Sequence, residues 1–142
     1  MHNNIETGQL GEEIAASFLL QKGYQLLERN WRFKHWEVDI IASLGNKLHF
    51  VEVKTRNSLR FGKPEESITR EKMTHLKNAA EQYQYQHPEW KYIQFDVIAI
   101  TLVNGITKEI YLIEDDVYEE LYFDHKKPLS MKYFDQKNLV LH

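Results

Sequence analysis

Three charged residues, Asp39, Glu52 and Lys54, fall where the alternation of strands would gather them. The runs Val38-Asp39-Ile40-Ile41-Ala42 and Lys47-Leu48-His49-Phe50-Val51-Glu52-Val53-Lys54 have strand composition, and Gly45-Asn46 between them is a pair that closes hairpins. With that turn Leu44 faces Lys47, and counting outward puts Asp39 opposite Glu52. Lys54 then shares the face of Glu52, and Glu37 shares the face of Asp39. Facing carboxylates repel and destabilise a sheet, a cost that a cation between them removes. The pattern reads as a divalent-metal site with a lysine beside it, a hydrolytic centre carried on strands.

The competing reading is an i,i+2 ion pair of Glu52 and Lys54 on a wet sheet face, worth about 0–1 kcal/mol. Apolar company argues against it: Leu48 and Phe50 precede Glu52 on its face, and Ile41 follows Asp39 on its own. Charges at the end of an apolar face need partners. The register depends on the turn, and a bulge would move Asp39 off Glu52.

The elements that must position these residues follow from periodicity. Thr7 to Gly23 reads as a helix with Leu10, Ile14 and Phe18 on one stripe, widened by Ala15 and Leu19, and with Glu12 at its edge. Tyr24 to Phe33 reads as a strand leading into the hairpin, and Arg56 to Glu66 as a loop. A second helix starts near Ser67 or Thr69, either of which can cap it, and buries Met73, Leu76, Ala80 and Tyr83 before ending ahead of His87-Pro88. Tyr92 to Thr101 reads as a buried strand, and Asn104-Gly105 as a hairpin turn into a last strand, Glu109 to Ile113. A right-handed crossover through the second helix lays Tyr92 to Thr101 parallel to the strand carrying Glu52. The expectation is an α/β sandwich, a central mixed sheet flanked by helices, in a single domain whose core spans about residues 8–114, with a mixed extension over 115–142.

At 142 residues, with 42% hydrophobic and 27% charged side chains, the composition is that of a soluble globular protein. There is no cysteine, which excludes disulfides, thiolate zinc sites and cysteine nucleophiles. The segment Met1-His2-Asn3-Asn4-Ile5-Glu6 lacks the features of a signal peptide, and no apolar run approaches a membrane span, so the expected location is cytoplasmic. A net charge of −3 argues against coating nucleic acid by bulk charge. Local charge differs: from Lys54 to Lys77 seven basic residues stand against three acidic ones, whereas Glu109 to Asp124 has seven acidic and no basic residues. The basic segment begins beside the proposed metal site, where Arg56, Arg60, Lys63, Arg70 and Lys72 would hold a phosphate backbone, unless they form a solvated face.

Five motifs now stand in order: Gly11-Glu12, Glu37-Val38-Asp39-Ile40-Ile41, Val51-Glu52-Val53-Lys54-Thr55-Arg56, Phe61-Gly62-Lys63-Pro64 and Phe95-Asp96-Val97. In order and spacing they resemble the bacterial YraN-like (UPF0102) family, small predicted endonucleases with the PD-(D/E)XK fold of restriction enzymes and junction resolvases. The resemblance covers roughly Gly8 to Thr101, with an echo at Asp116-Val117-Tyr118. It implies a restriction-endonuclease-like sandwich with Asp39 and Glu52 as metal ligands, Lys54 as the catalytic lysine, and Glu12 approaching from the first helix. Val38 stands where the superfamily's name expects proline, and Trp36 where the family usually has glycine.

The chemistry suits these types. Phosphodiester hydrolysis needs an oxygen-ligated cation to offset phosphoryl charge, and Mg²⁺, with Mn²⁺ as substitute, suits a site of one or two carboxylates. Lys54 would orient or deprotonate the attacking water or meet developing charge. Glu12 would hold a water there, or serve only as a helix N-terminal acid. Glu37 reads as the partner of a neighbouring cation, and Asp96, among Phe95, Val97 and Ile98, as a structural hydrogen-bonder. Trp31 and Trp36 would cover the sheet end or stack on bases, and the seven histidines lack zinc-ligand spacing. Three functions compete: a metal-dependent endonuclease acting on DNA, branched or damaged structures included; a nucleic-acid-binding module with a degenerate site; and an adaptor using a sheet edge or the acidic segment. DNA and RNA are both open as the partner, as is a homodimer.

Overall fold

Gly45 takes φ 62°, which a residue without Cβ reaches freely, and the hairpin closes in the expected register. Leu44 pairs with Lys47, and the antiparallel ladder runs to Ile40 with Val51. The computed structural model describes residues 4–57, 70–115 and 139–141. Its elements are α1 (Asn4–Gln21), β1 (Gln25–Phe33), β2 (Trp36–Leu44), β3 (Lys47–Arg56), α2 (Arg70–Gln86), β4 (Tyr92–Val103), β5 (Ile106–Asp115) and β6 (Leu139–Leu141). The six strands lie in sequence order, antiparallel except for β3 and β4, which run parallel across the α2 crossover. This is the α/β sandwich with a mixed sheet that the periodicity predicts, consistent with a restriction-endonuclease-like fold.

Each face of the sheet has its own core and its own helix. Ala15, Ala16 and Leu19 of α1 pack on Ile40, Val51, Ile98 and Ile100, and Leu76, Ala79, Ala80 and Tyr83 of α2 pack on Ile41, Leu48, Phe50 and Phe95. Trp31 and Trp36 lie partly buried against the α2-side core. Among the described residues no helix is long and apolar enough to cross a membrane.

Three differences from expectation have physical causes. First, β2 and β5 extend beyond the apolar runs, because a two-residue turn lets pairing begin at once: Phe33 pairs with Trp36, and Val103 with Ile106. Second, β6 joins the sheet edge through a three-residue pairing with Ile113, Glu114 and Asp115, too short to carry a periodicity signal. Third, alternation along β2 slips. Val38 and Ile41 share the α2-side core while Ile40 belongs to the α1-side core, which strict alternation forbids. The slip falls at Asp39, and in β1 Asn30, which counts opposite it, has φ 51°. The expected caps Ser67 and Thr69, the Phe61-Gly62-Lys63-Pro64 motif and the segment 116–138 lie outside the described residues.

α1 meets β3 at a point that admits only glycine. A Cβ on Gly11 would run into Thr55 Oγ1 and lie 2.9 Å from Thr55 Cβ. In an open helix Gly→Ala gains about 1 kcal/mol. Here the β-branched Thr55 cannot rotate away, so overpacking outweighs that gain. Gly11→Ala is expected to lose about 1–3 kcal/mol in urea unfolding, with part recovered by Thr55→Ala in the same background.

Candidate metal centre

The ladder between β2 and β3 stops at Ile40 with Val51, one residue short of Asp39 and Glu52. Beyond it the Asp39 side chain takes over: Oδ2 accepts the Val53 N–H at 2.8 Å. The expected direct opposition in the ladder is therefore replaced by a splayed end, yet the two carboxyls remain close enough for the charge of Asp39 to push the Glu52 carboxyl up. Full backbone pairing would leave no room between the carboxylates, whereas the splay opens a cavity of about 520 Å³ lined by Thr7, Glu12, Asp39, Glu52, Lys54 and Arg56, among others.

Both helices reach this end. α1 crosses the end of β3 at Gly11 and Thr55, and Thr7 and Asn57 exchange a side-chain hydrogen bond at 3.4–3.5 Å. That crossing sets Glu12 at the cavity wall, where its carboxyl is held above its ordinary range by burial and by Asp39, partly offset by Arg29 and a hydrogen bond with Asn30. From α2, Lys72 Nζ lies 3.3 Å from Glu52 Oε1. Glu52 is 5% exposed, and its other oxygen, Oε2, is buried with no hydrogen-bond donor among the described residues. Burial, then the charge of Asp39, pushes the Glu52 carboxyl up to about 7, against the pull of Lys72 and Lys54. Burial also raises Asp39, while the Val53 N–H, Glu52 and Lys72 oppose the shift.

The donor set fits a hard divalent cation. Two neighbouring carboxyls raised above their ordinary range, Glu52 to about 7 and with one buried oxygen that has no donor among the described residues, are groups a cation would satisfy. Among the described residues no cluster of three His, Cys, Asp or Glu residues converges, so any such ion would take its remaining ligands from water or substrate, as Mg²⁺ does. Glu12 shares the cavity without completing a third ligand.

The other predicted contacts separate. Arg56 lines the cavity, but its Nε donates to Thr101 Oγ1 at 3.0 Å and its guanidinium lies 4.0 Å from Glu109, so it is tied to β4 and β5. Lys72 is directed at Glu52, a placement the reading of it as a phosphate contact had not anticipated. Arg60, Lys63 and the side chain of Arg70 lie outside the described residues. Lys77, counted in the basic segment, is buried. Glu37 pairs with Arg32 at 3.0 Å, and Asp96 is buried, bonded to His49 at 2.6 Å and Gln94 at 2.8 Å. The periodicity of α2 carried a signal for Lys72: it stands four residues before Leu76, on the stripe that faces the sheet.

Residues 11–100 match the model of a family described as uncharacterised protein family UPF0102. A UPF0102 protein of Caldicellulosiruptor saccharolyticus is 47% identical over 115 residues, covering 80% of this chain and 98% of its own. One from Syntrophomonas wolfei is 43% identical over 111 residues, 78% of this chain and 96% of its own. A third, from Dictyoglomus thermophilum, is 46% identical over 101 residues, 70% of this chain and 86% of its own. The chain belongs to the UPF0102 family.

The raised Glu52 carboxyl has a consequence for stability. A group whose folded pKa exceeds its unfolded value binds more protons when folded, so its contribution is full below about 4.5 and is lost as pH rises through about 7. In chelator, the melting temperature is expected to fall between pH 5 and pH 8 for this reason. Glu52→Gln, which cannot ionise, is expected to flatten that decline in thermal melts across the same range.

Proposed function

We propose that this protein is a metal-dependent endonuclease of the PD-(D/E)XK type that hydrolyses phosphodiester bonds in DNA, with branched or damaged structures among its substrates. One observation carries the reading: the buried Glu52 carboxyl beside the half-buried Asp39, both held toward protonation, in an open cavity that Lys54 also lines. A surface ion pair would be neither buried nor shifted in this way.

Asp39 and Glu52 would hold Mg²⁺, or Mn²⁺ in its place. When bound, the cation supplies charge compensation at the phosphoryl oxygens and lowers the pKa of the attacking water. Lys54 lines the same cavity, where its ammonium would orient that water or offset charge developing on the phosphoryl group. Glu12, on the α1 wall, orders water at the cavity side. The water oxygen bonds to phosphorus as one bridging P–O bond breaks, and the departing oxygen takes up a proton. Nucleic acid would approach through local cations, since the net charge of −3 repels it at long range.

The test is incubation with single-stranded, duplex, flap and four-way-junction DNA in Mg²⁺, Mn²⁺ or chelator. Cation-dependent cleavage is expected, abolished in Asp39→Ala and Glu52→Ala. Glu52→Ala relieves repulsion within the pair, so its metal-free stability should hold or rise, whereas Asp39→Ala also strips the Val53 N–H of its acceptor and should forfeit that gain. Lys54→Ala should slow cleavage by roughly 10²–10⁴-fold with little change in DNA affinity. Loss of affinity with an unchanged saturated rate would make Lys54 a phosphate clamp and remove it from the chemistry.

A further inference from the structure

We infer that Lys72 is a positioning residue of the metal centre, which clamps one oxygen of Glu52 so that the other is presented to the cation. The inference rests on the reading of Asp39 and Glu52 as metal ligands and adds to it a residue from the other side of the sheet.

Three observations converge on Lys72. Its Nζ lies 3.3 Å from Glu52 Oε1, while Oε2 is buried with no donor among the described residues, so the two oxygens of one carboxylate have separate assignments. Lys72 is not among the residues lining the cavity, whereas Lys54 is. Lys54 thus lines the cavity itself, whereas Lys72 reaches Glu52 from α2. Finally, α2 is anchored one turn further on by Leu76 and then by Ala79, Ala80 and Tyr83, all buried in the core. A flexible four-carbon side chain on a rigid helix can hold a carboxylate at a fixed rotamer, and groups that orient a ligand in this way commonly tune metal affinity by 10–100-fold.

A phosphate contact, the alternative for a lysine at the start of α2, predicts different behaviour. An ammonium committed to substrate would leave metal affinity alone and weaken DNA binding. An ammonium that merely occupies the cation's place would compete with it, so that its removal would tighten metal binding.

The experiment is calorimetric titration of Mn²⁺ into the full-length protein without nucleic acid, for the wild type, Lys72→Met, Lys72→Arg and Asp39→Asn, with duplex-DNA affinity measured separately in chelator. Lys72→Met is expected to weaken Mn²⁺ binding by about 10–100-fold and leave DNA affinity in chelator near that of the wild type. Lys72→Arg, which retains a cationic donor, should recover much of the loss. Unchanged or tighter Mn²⁺ binding in Lys72→Met overturns the inference while leaving the metal site standing, provided Asp39→Asn abolishes binding. Absence of Mn²⁺ binding in the wild type, or its survival in Asp39→Asn, overturns the metal reading itself and the role of Lys72 with it.

Discussion

Two neighbouring carboxyl groups, the buried Glu52 and the half-buried Asp39, set the terms for the rest of this structure. Removing a carboxylate from water is unfavourable, and placing a second beside it adds repulsion. The fold answers with a backbone donor from Val53, an ammonium from Lys72 and the charge of Lys54. These offset the cost in part, since the pair still retains protons above the ordinary carboxyl range. A sequence that maintains such an arrangement at the lip of an open cavity is disposed to accept a cation there.

The architecture follows from the same requirement. A sheet covered by one helix on each face can bring groups from both faces to one place only where a strand ends or splays. β2 parts from β3 after Ile40 and Val51, and the slip at Asp39 lies at that point. α1 reaches the splayed end because Gly11 lets its backbone come against Thr55, and α2 reaches it because its first turns project past the apolar stripe that holds the helix down. Glu12 and Lys72, sixty residues apart and on opposite layers, thus address neighbouring carboxylates.

Much of this was legible in the residues. The pair Gly45-Asn46 determined the hairpin register, and the apolar stripes of both helices marked the faces that pack. The parallel placement of β4 beside β3 followed from the handedness of crossovers. Local pattern failed where tertiary packing decides. Strict alternation cannot show that Val38 turns to the α2 side, because the slip falls at Asp39, whose side chain takes the Val53 N–H in place of the ladder. Lys72 read as a phosphate contact because its charge was visible and its partner, on a strand across an intervening loop, was not. Arg56 looked like a free cation until β4 and β5 supplied Thr101 and Glu109 beside it. Gly11 held an overlooked clue, since a glycine inside an otherwise regular helix often marks a close approach.

The most direct measurement of the carboxyl pair as a metal site is the proton count on cation binding. Mn²⁺ would be titrated calorimetrically in buffers of different ionisation enthalpy, from pH 6 to 8.5. If the cation displaces the proton that Glu52 retains beside Asp39, about one proton should be released per ion near pH 6, declining toward none at pH 8.5. Binding with no proton release at pH 6, or release that survives Glu52→Gln unchanged, would contradict the assignment of this pair as the site.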